Sequence, residues 1–472
     1  MPVPPALRLL ALVFALCLAA GCARQAYAPR ELDMEDAARR YAARSLTAPE
    51  LERHLSAHGV SSATWPLGQW GLGELTLAAF HYRDELAAAR ARAAAARAQV
   101  AVAAQRAPFV ATPRIERHSG EGESDSPWSL GFELEIPLAS AVRRAAFVER
   151  AQARATVAEL EVGEQAWGIR SALRAQLLEL FAARHAIDSF EREVSAQQAV
   201  VDMLRRRLEE GYASVIEVDA ARLRLAEAQG GLQVARTRAE QALGGLARAL
   251  GVPPDALRDI RLSFTELESL PAAPDAAAIR REALLNRVDL RRGLLEFAAA
   301  DADVKLAVAQ QYPSFSLTPG FLWDQGDNVW SLAVDLLLPA DLIHGPALRA
   351  AQAQREASAN QALALQSAVL GEADARQAVY VQARQAAAAA QAATRTQHTR
   401  SAQVQRQFDT GQTDRLELTL AGIEALRVER RAMAARIDAQ RALGLLEDAV
   451  QKPLSGLSPT LPLSENERGN HP

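Results

Sequence analysis

Two proline-free runs limit what this chain can fold into. One extends from Ser140 to Leu208, and the other from Pro346 to Phe408 with no proline after its first residue. Helices of about 65 to 70 residues would each reach on the order of 100 Å at 1.5 Å per residue, far beyond what a globular domain uses. Along the first run Leu173, Leu180, Ile187, Val194, Val201 and Leu208 form a seven-residue row, with Ala183, Phe190 and Leu204 three places after members of it. Such a seam needs another helix against it. Small residues take over in the second run, as in QAAAAAQAA from Gln385 to Ala393, and let a neighbour approach closely. The chain specifies paired rods, and it specifies them twice.

Composition fits long helical assemblies better than a compact enzyme: only 5% of the 472 residues are aromatic, and alanine dominates. A formal net charge of -4 leaves no basic excess to neutralise phosphates, which argues against a nucleic-acid binder.

Residues 1–21 read as an export signal peptide. Arg8 supplies the positive charge, Leu9 to Ala20 the apolar core, and Ala19, Ala20 and Gly21 the small residues before a cleavage point. That core is too short to span a bilayer comfortably. Cys22 comes next, and LAAGC resembles the lipobox of bacterial lipoproteins, which implies a lipidated cysteine as the mature N-terminus. It departs from the usual pattern in having Ala19, not leucine, three places before the cysteine. An ordinary secretory signal with an incidental thiol is the other reading. Cys17, the only other cysteine, leaves with the signal, so the mature chain is expected to have no internal disulfide and no cysteine metal site. Ala23, where many lipoproteins retained in the inner membrane have aspartate, points outward.

Residues 22–69 are polar, carry Pro29, Pro49 and Pro66, and read as a lipid-anchored tether with one or two short helices. A first repeat is expected over 70–252. A helix runs from Trp70 to Ala107. A hairpin then joins a short strand at Arg114–Arg117, across HSGEGESDSP, to WSLGFELEIPL, where Leu130, Phe132, Leu134 and Ile136 alternate with Ser129, Gly131, Glu133 and Glu135. After Pro137, with Ser140 as N-cap, comes the first rod. It breaks at Gly211, and a return helix runs to Leu250, closed by Gly251 and Pro253. Residues 253–280 are an irregular linker, 281–453 a second repeat, and 454–472 a polar tail expected to be disordered.

The second repeat answers the first. Helix Arg281–Gln311, whose ALLNRVDL opening answers the stretch around Leu86, leads through Tyr312 and Pro313 to FSLTPGF, the turn DQGDN and WSLAVDLLLP, with Leu332, Val334, Leu336 and Leu338 on one face. Trp128, Glu133 and Pro137 match Trp330, Asp335 and Pro339 at one offset. At another, Gly211, Glu217 and Pro253 match Gly411, Glu417 and Pro453.

Strands with one apolar face cannot remain an open sheet in lipid, where unpaired edge groups cost several kcal/mol each. Four strands are also fewer than the eight of the smallest spanning barrels, so copies must share a wall. Trp128, Trp323 and Trp330, towards the loop ends of their strands, are candidates for a membrane girdle. The alternative is a soluble β-sandwich cap in which these tryptophans form a core.

The doubled architecture, the opening WGLGELTLAAFHYRDELAAARARAAAARA, the phrase NRVDL and the paired turns GYASVIEV and GQTDRLEL resemble the TolC-like family of outer-membrane efflux proteins along the whole mature chain. The resemblance implies a mainly α fold with a small β part: two tandem repeats whose long antiparallel coiled-coil helices form a periplasmic α-barrel, and four strands per chain in a trimeric, twelve-stranded outer-membrane β-barrel. It implies a homotrimer in outer-membrane lipid, working with a periplasmic membrane-fusion adaptor and an inner-membrane efflux pump. The turns at Gly211 and Gly411 would be the periplasmic tip that the adaptor grips. Glu417 matches an acidic ring position of that family, while Leu420 stands where a second acidic residue can occur. Residues near each tip also have a plainer reading: Glu217 and Glu417 suit the positive N-terminal ends of the helices they open.

No catalytic motif, phosphate loop or dinucleotide fingerprint appears, so no enzyme activity and no cofactor are expected. His54, His58, His81, His118, His185, His344 and His398 are scattered; only His54 and His58 share i,i+4 spacing, and with no third ligand nearby in sequence they read as solvent-facing, with no metal site. The expected function is a passive export channel, with a non-conducting, periplasm-spanning coiled-coil lipoprotein scaffold as the competing reading.

Overall fold

The computed structural model describes residues 28–60, 65–119, 127–138, 141–312, 314–337 and 345–454. The signal peptide, Cys22, the loop at 120–126, Ser140, Pro313, Leu338, Pro339, His344 and the tail from 455 lie outside the described residues. The chain divides after Ala43 into two units. In the first, α1 (Met34–Ala42) is opened by Asp33, whose carboxylate accepts from the N–H groups of Glu35 and Asp36.

The second unit starts with α2 (Pro49–Ala57). The first repeat follows as α3 (Leu72–Tyr82), α4 (Asp84–Ala103), strands β1 (Val110–Arg117) and β2 (Trp128–Leu138), the long α5 (Ala141–Glu209) and the return helix α6 (Val215–Leu250). The connection contains a 3-10 turn (Pro254–Leu257) and α7 (Thr265–Glu268). The second repeat is α8 (Ala276–Asn286), α9 (Val288–Gln310), β3 (Ser314–Asp324), β4 (Asp327–Leu337), α10 (Pro346–Asp409) and α11 (Arg415–Val450). Both rods are single helices, of 69 and 64 residues.

Where one helix is expected before each hairpin, the structure has two. Arg83 (φ −76°, ψ 113°) separates α3 from α4, and Arg287 (φ −62°, ψ 116°) separates α8 from α9. Each arginine turns its guanidinium onto the C-terminal end of its own repeat's return helix. Arg83 donates to the carbonyl of Arg248 at 2.8 Å, and Arg287 to that of Ala449 at 3.3 Å. The last carbonyls of a helix lack intrahelical partners, so these cations satisfy them and oppose the negative dipole end. Those return helices stop at Gly251 (φ 79°) and Gln451 (φ 48°), both left-handed.

The two hairpins join into one antiparallel sheet of order β1-β2-β3-β4, leaving β1 and β4 as edges. Ile115 pairs with Leu130, Phe132 with Phe321, Phe321 with Trp330, and Leu317 with Val334. This register puts the apolar row of every strand on one face. The opposite face carries Thr112, Arg114, Glu116, Ser129, Glu133, Glu135, Ser316, Thr318, Asp324 and Asp335.

From Arg44 the N-terminal segment is docked on this unit: Leu46, Leu51 and Leu55 are buried in the main core with Trp70, Leu75, Leu86, Leu173, Leu177, Leu246 and Leu250. A second core joins Ile279, Val369, Tyr380, Leu443 and Leu446, and a third, near the turns, joins Val200, Val201, Ala221 and Ile423. Of the heptad row expected along α5, Leu173, Leu180 and Val201 are buried, while Ile187, Val194 and Leu208 are only half-buried. A seven-residue row drifts around a straight helix by about 20° per heptad. Between the two apolar stretches Ser189, Glu193 and Gln197 are buried instead.

Candidate functional site

Two regions hold the residues singled out from sequence, and the first is the sheet. Its apolar face is uncovered in the protomer: Ile115 is 71% exposed, Trp330 78%, Leu332 65% and Val334 62%. Phe132, Phe321 and Trp330 make a cross-strand aromatic row, with ring centroids 6.5 and 4.8 Å apart. All three predicted tryptophans are on this face, but at successive levels. Trp128 starts β2 beneath the guanidinium of Arg117, Trp323 is opposite Leu130, and Trp330 is level with Phe132. They form a diagonal, not a level row. With Trp128 and Trp330 open to the surroundings, they are not the core of a sandwich, and the described residues form one sheet rather than two packed sheets.

On the polar face, Arg114 lies 3.1 Å from Glu116 and 3.8 Å from Glu133, and the Thr318 hydroxyl donates to Asp335 at 2.8 Å. His118, just past β1, is 2.9 Å from the Ser129 hydroxyl, which donates to Asp324. That contact ties β1, β2 and β3 together at their loop end.

The second region is the pair of turns between each rod and its return helix. Gly211 (φ 82°) and Gly411 (φ 74°) take the left-handed conformation that ends a helix, and at neither would a Cβ meet a neighbour within 4 Å. Ser214 caps α6, accepting from the N–H of Glu217 at 3.3 Å, while the Glu217 carboxylate accepts from the N–H of Ser214 at 2.7 Å. This reciprocal box holds the Glu217 carboxyl below the usual carboxylate range. In the second turn Asp414 accepts from the N–H of Glu417 at 2.9 Å, and the Thr413 hydroxyl donates to the Glu417 carboxylate. The Glu217 carboxylate thus helps to cap its helix, whereas in the second turn Asp414 is the cap and the Glu417 carboxylate is held by Thr413. Arg207, near the end of the first rod, donates to Asp414 at 2.6 Å and links the two turns. The first turn presents apolar side chains, with Tyr212 82% and Ile216 81% exposed; the second offers Gln412, Thr413 and Arg415.

Sequence reasoning missed the buried ionic contacts between α5 and α11. Glu447 lies 3.2 Å from Arg170 and 3.4 Å from Arg174. Glu193 lies 3.0 Å from Arg427 and 2.6 Å from Arg430. Their partners are more than 200 residues away in sequence, so no local spacing marks them. Arg83 and Arg287 did leave a signal, the arginine shared by YRDEL and NRVDL. His54 and His58 do have a third histidine close by, His81, contrary to the sequence reading. Even so, no group of three or more His, Cys, Asp or Glu among the described residues is arranged to hold a metal ion. Nor, among those residues, is any helix long and apolar enough to cross a membrane.

No protein-family model matches the sequence, and no curated protein matches it. Solved structures do match. The outer-membrane channel OprN aligns with a TM-score of 0.65 and 21% identity, over 80% of this chain and 89% of that one. The outer membrane protein VceC from Vibrio cholerae aligns at 0.63 and 19%, over 81% and 96%. The MtrE outer membrane channel of Neisseria gonorrhoeae, in its open state, aligns at 0.62 and 18%, over 81% and 89%. This chain has the TolC-like outer-membrane channel fold. The TolC-like fold accounts for the doubled order of elements, the two rods and the four-stranded sheet inserted between helices.

Proposed function

We propose that three copies of this chain close into an outer-membrane duct that continues as a helical tunnel through the periplasm and passes cargo outward without chemistry of its own. The carrying observation is the uncovered apolar face on a sheet with two unpaired edges. In water that face is unfavourable, and in lipid the free edges are. Pairing β4 of one copy with β1 of the next keeps the antiparallel alternation and removes every edge. Three copies of four strands give twelve, within the range of spanning barrels. The second rod supports the same reading, since Ser358, Val369, Ala373, Tyr380 and Ala387 are its buried residues and it leaves an exposed side, with Leu363 60% and Val379 50% exposed, for a neighbouring copy.

In this proposal Cys22 carries lipid, Trp128, Trp323 and Trp330 mark the membrane boundary, and the turns at Gly211 and Gly411 meet a periplasmic adaptor that couples the duct to an inner-membrane pump. Glu217 and Glu417 would then set the entrance charge once rearrangement frees Glu217 from Ser214 and Glu417 from Thr413. Similarity to named channels supports the assembly at the level of fold.

Planar-bilayer recording of the purified full-length protein tests the proposal. Stepwise conductance is expected, rising when Arg207→Ala removes the link to Asp414. Silence in both proteins, with trimers present by light scattering, would favour the non-conducting scaffold.

A further inference from the structure

Helix α2 meets the body of the protein through three imidazoles in a row. His54, in the middle, has its ring centroid 4.4 Å from that of His58, at the C-cap of the same helix, and 5.1 Å from that of His81 on α3. The Nε2 of His54 is buried and has no hydrogen-bond partner. The His58 ring, through Nδ1, is 2.8 Å from the His54 carbonyl. Leu51 and Leu55, on the same helix, are buried in the main core, so the imidazole row flanks the apolar contact that holds α2 in place.

The surroundings of His54 disfavour a proton. His58 faces it from α2, His81 from α3 and Arg90 from α4, and burial together with these charges pushes its pKa down to about 4. Only the Leu77 carbonyl acts in the opposite direction. His81 is also lowered, by burial first and by Arg44, while Glu50 on α2 acts against that. Nothing in this row offers a carboxylate to His54 itself.

We propose that α2 is an acid-released clasp: it stays docked while His54 is uncharged and lets go when His54 takes up a proton. The direction follows from linkage. A histidine whose folded pKa lies below its unfolded value contributes docking stability in full above about pH 6.5, and loses it as pH falls towards the folded value. Protonating His54 at Nε2, which has no partner, would bury an N–H without an acceptor beside two other imidazoles. The same segment is tied to the body by Arg44, which donates to the Gly251 carbonyl at 2.8 Å, and by the Tyr82 hydroxyl, which donates to the Ser45 carbonyl at 2.6 Å. Neither bond loses its donor or acceptor in mild acid, so release is expected to begin at α2. The inference does not depend on whether the protein conducts.

Hydrogen exchange of the full-length protein in detergent, read as protection factors between pH 7.5 and 4.5, is the test. Protection of residues 49–57 should fall by about tenfold or more, while α8, the histidine-free helix 276–286, stays protected. His54→Leu should keep α2 protected at pH 4.5, and His398→Gln, on the second rod, should behave as wild type. Unchanged α2 protection in the wild type, or an equal loss in His54→Leu, would overturn the clasp. Should His54→Leu fail to fold, the wild-type comparison of α2 with α8 decides alone, since parallel loss in both helices would be general acid unfolding.

Discussion

Replacing Glu447 with alanine should cost more stability than replacing either arginine that depends on it. One carboxylate, 1% exposed, serves the guanidinium of Arg170 at 3.2 Å and that of Arg174 at 3.4 Å, which are 4% and 6% exposed. Its other oxygen accepts from the backbone N–H of Leu454 at 2.9 Å. Glu447→Ala therefore strands two cations out of water and an N–H besides, and a buried pair broken from one side costs about 3–5 kcal/mol. Arg170→Met leaves Glu447 bonded to Arg174 and to Leu454, and keeps an apolar stem near Trp167, so about 1–2 kcal/mol is expected. Arg174 retains Gln440 in either variant, donating to its backbone carbonyl at 2.9 Å and its side-chain oxygen at 2.8 Å. Hydrogen exchange along α11 at neutral pH reads the difference. The opening constant near Gln440 should rise by about two to three and a half orders of magnitude in Glu447→Ala and by tenfold or so in Arg170→Met. Equal costs would refute the idea that one carboxylate holds both arginines, and a rise under about tenfold in Glu447→Ala would refute the buried network as a source of stability.

Gly211→Val and Gly411→Val should each cost about 1–2 kcal/mol of turn stability through left-handed backbone strain alone, because no neighbour stands where the new Cβ goes; asparagine, which tolerates that conformation, should cost less, and equal costs in thermal unfolding would count against this account. Under the proposed assembly the valine variants should weaken adaptor docking in cells while leaving trimers intact, and unchanged export would remove these turns from the contact. Cys22→Ala should abolish incorporation of labelled fatty acid, and label that persists would remove the lipid anchor.

Much of the architecture was written in local pattern. The rods follow from long proline-free stretches, and the strands from alternation in WSLGFELEIPL and WSLAVDLLLP. Turns at Gly211 and Gly411 follow from glycine placed before Ser214 and Asp414, residues that cap helices through their own side chains. The helix-end reading of Glu217 and Glu417 rests on the same local pattern, each standing three residues after its cap, and only Ser214 with Glu217 goes on to form a reciprocal capping box. What failed locally was the helix before each hairpin. Neither Arg83 nor Arg287 carries an intrinsic helix-breaking signal; each leaves the helical conformation where its guanidinium reaches a helix end more than 160 residues away.

By itself, then, the sequence determined the elements and their duplication, because helix and strand periods and caps act over a few residues. Only the tertiary structure decided that β2 pairs with β3 to make one sheet, that Glu447 and Glu193 are buried between pairs of arginines, and that His81 completes a row with His54 and His58. Those outcomes depend on which distant surfaces meet. Desolvation and pairing of charge act through space, and no spacing along the chain encodes them.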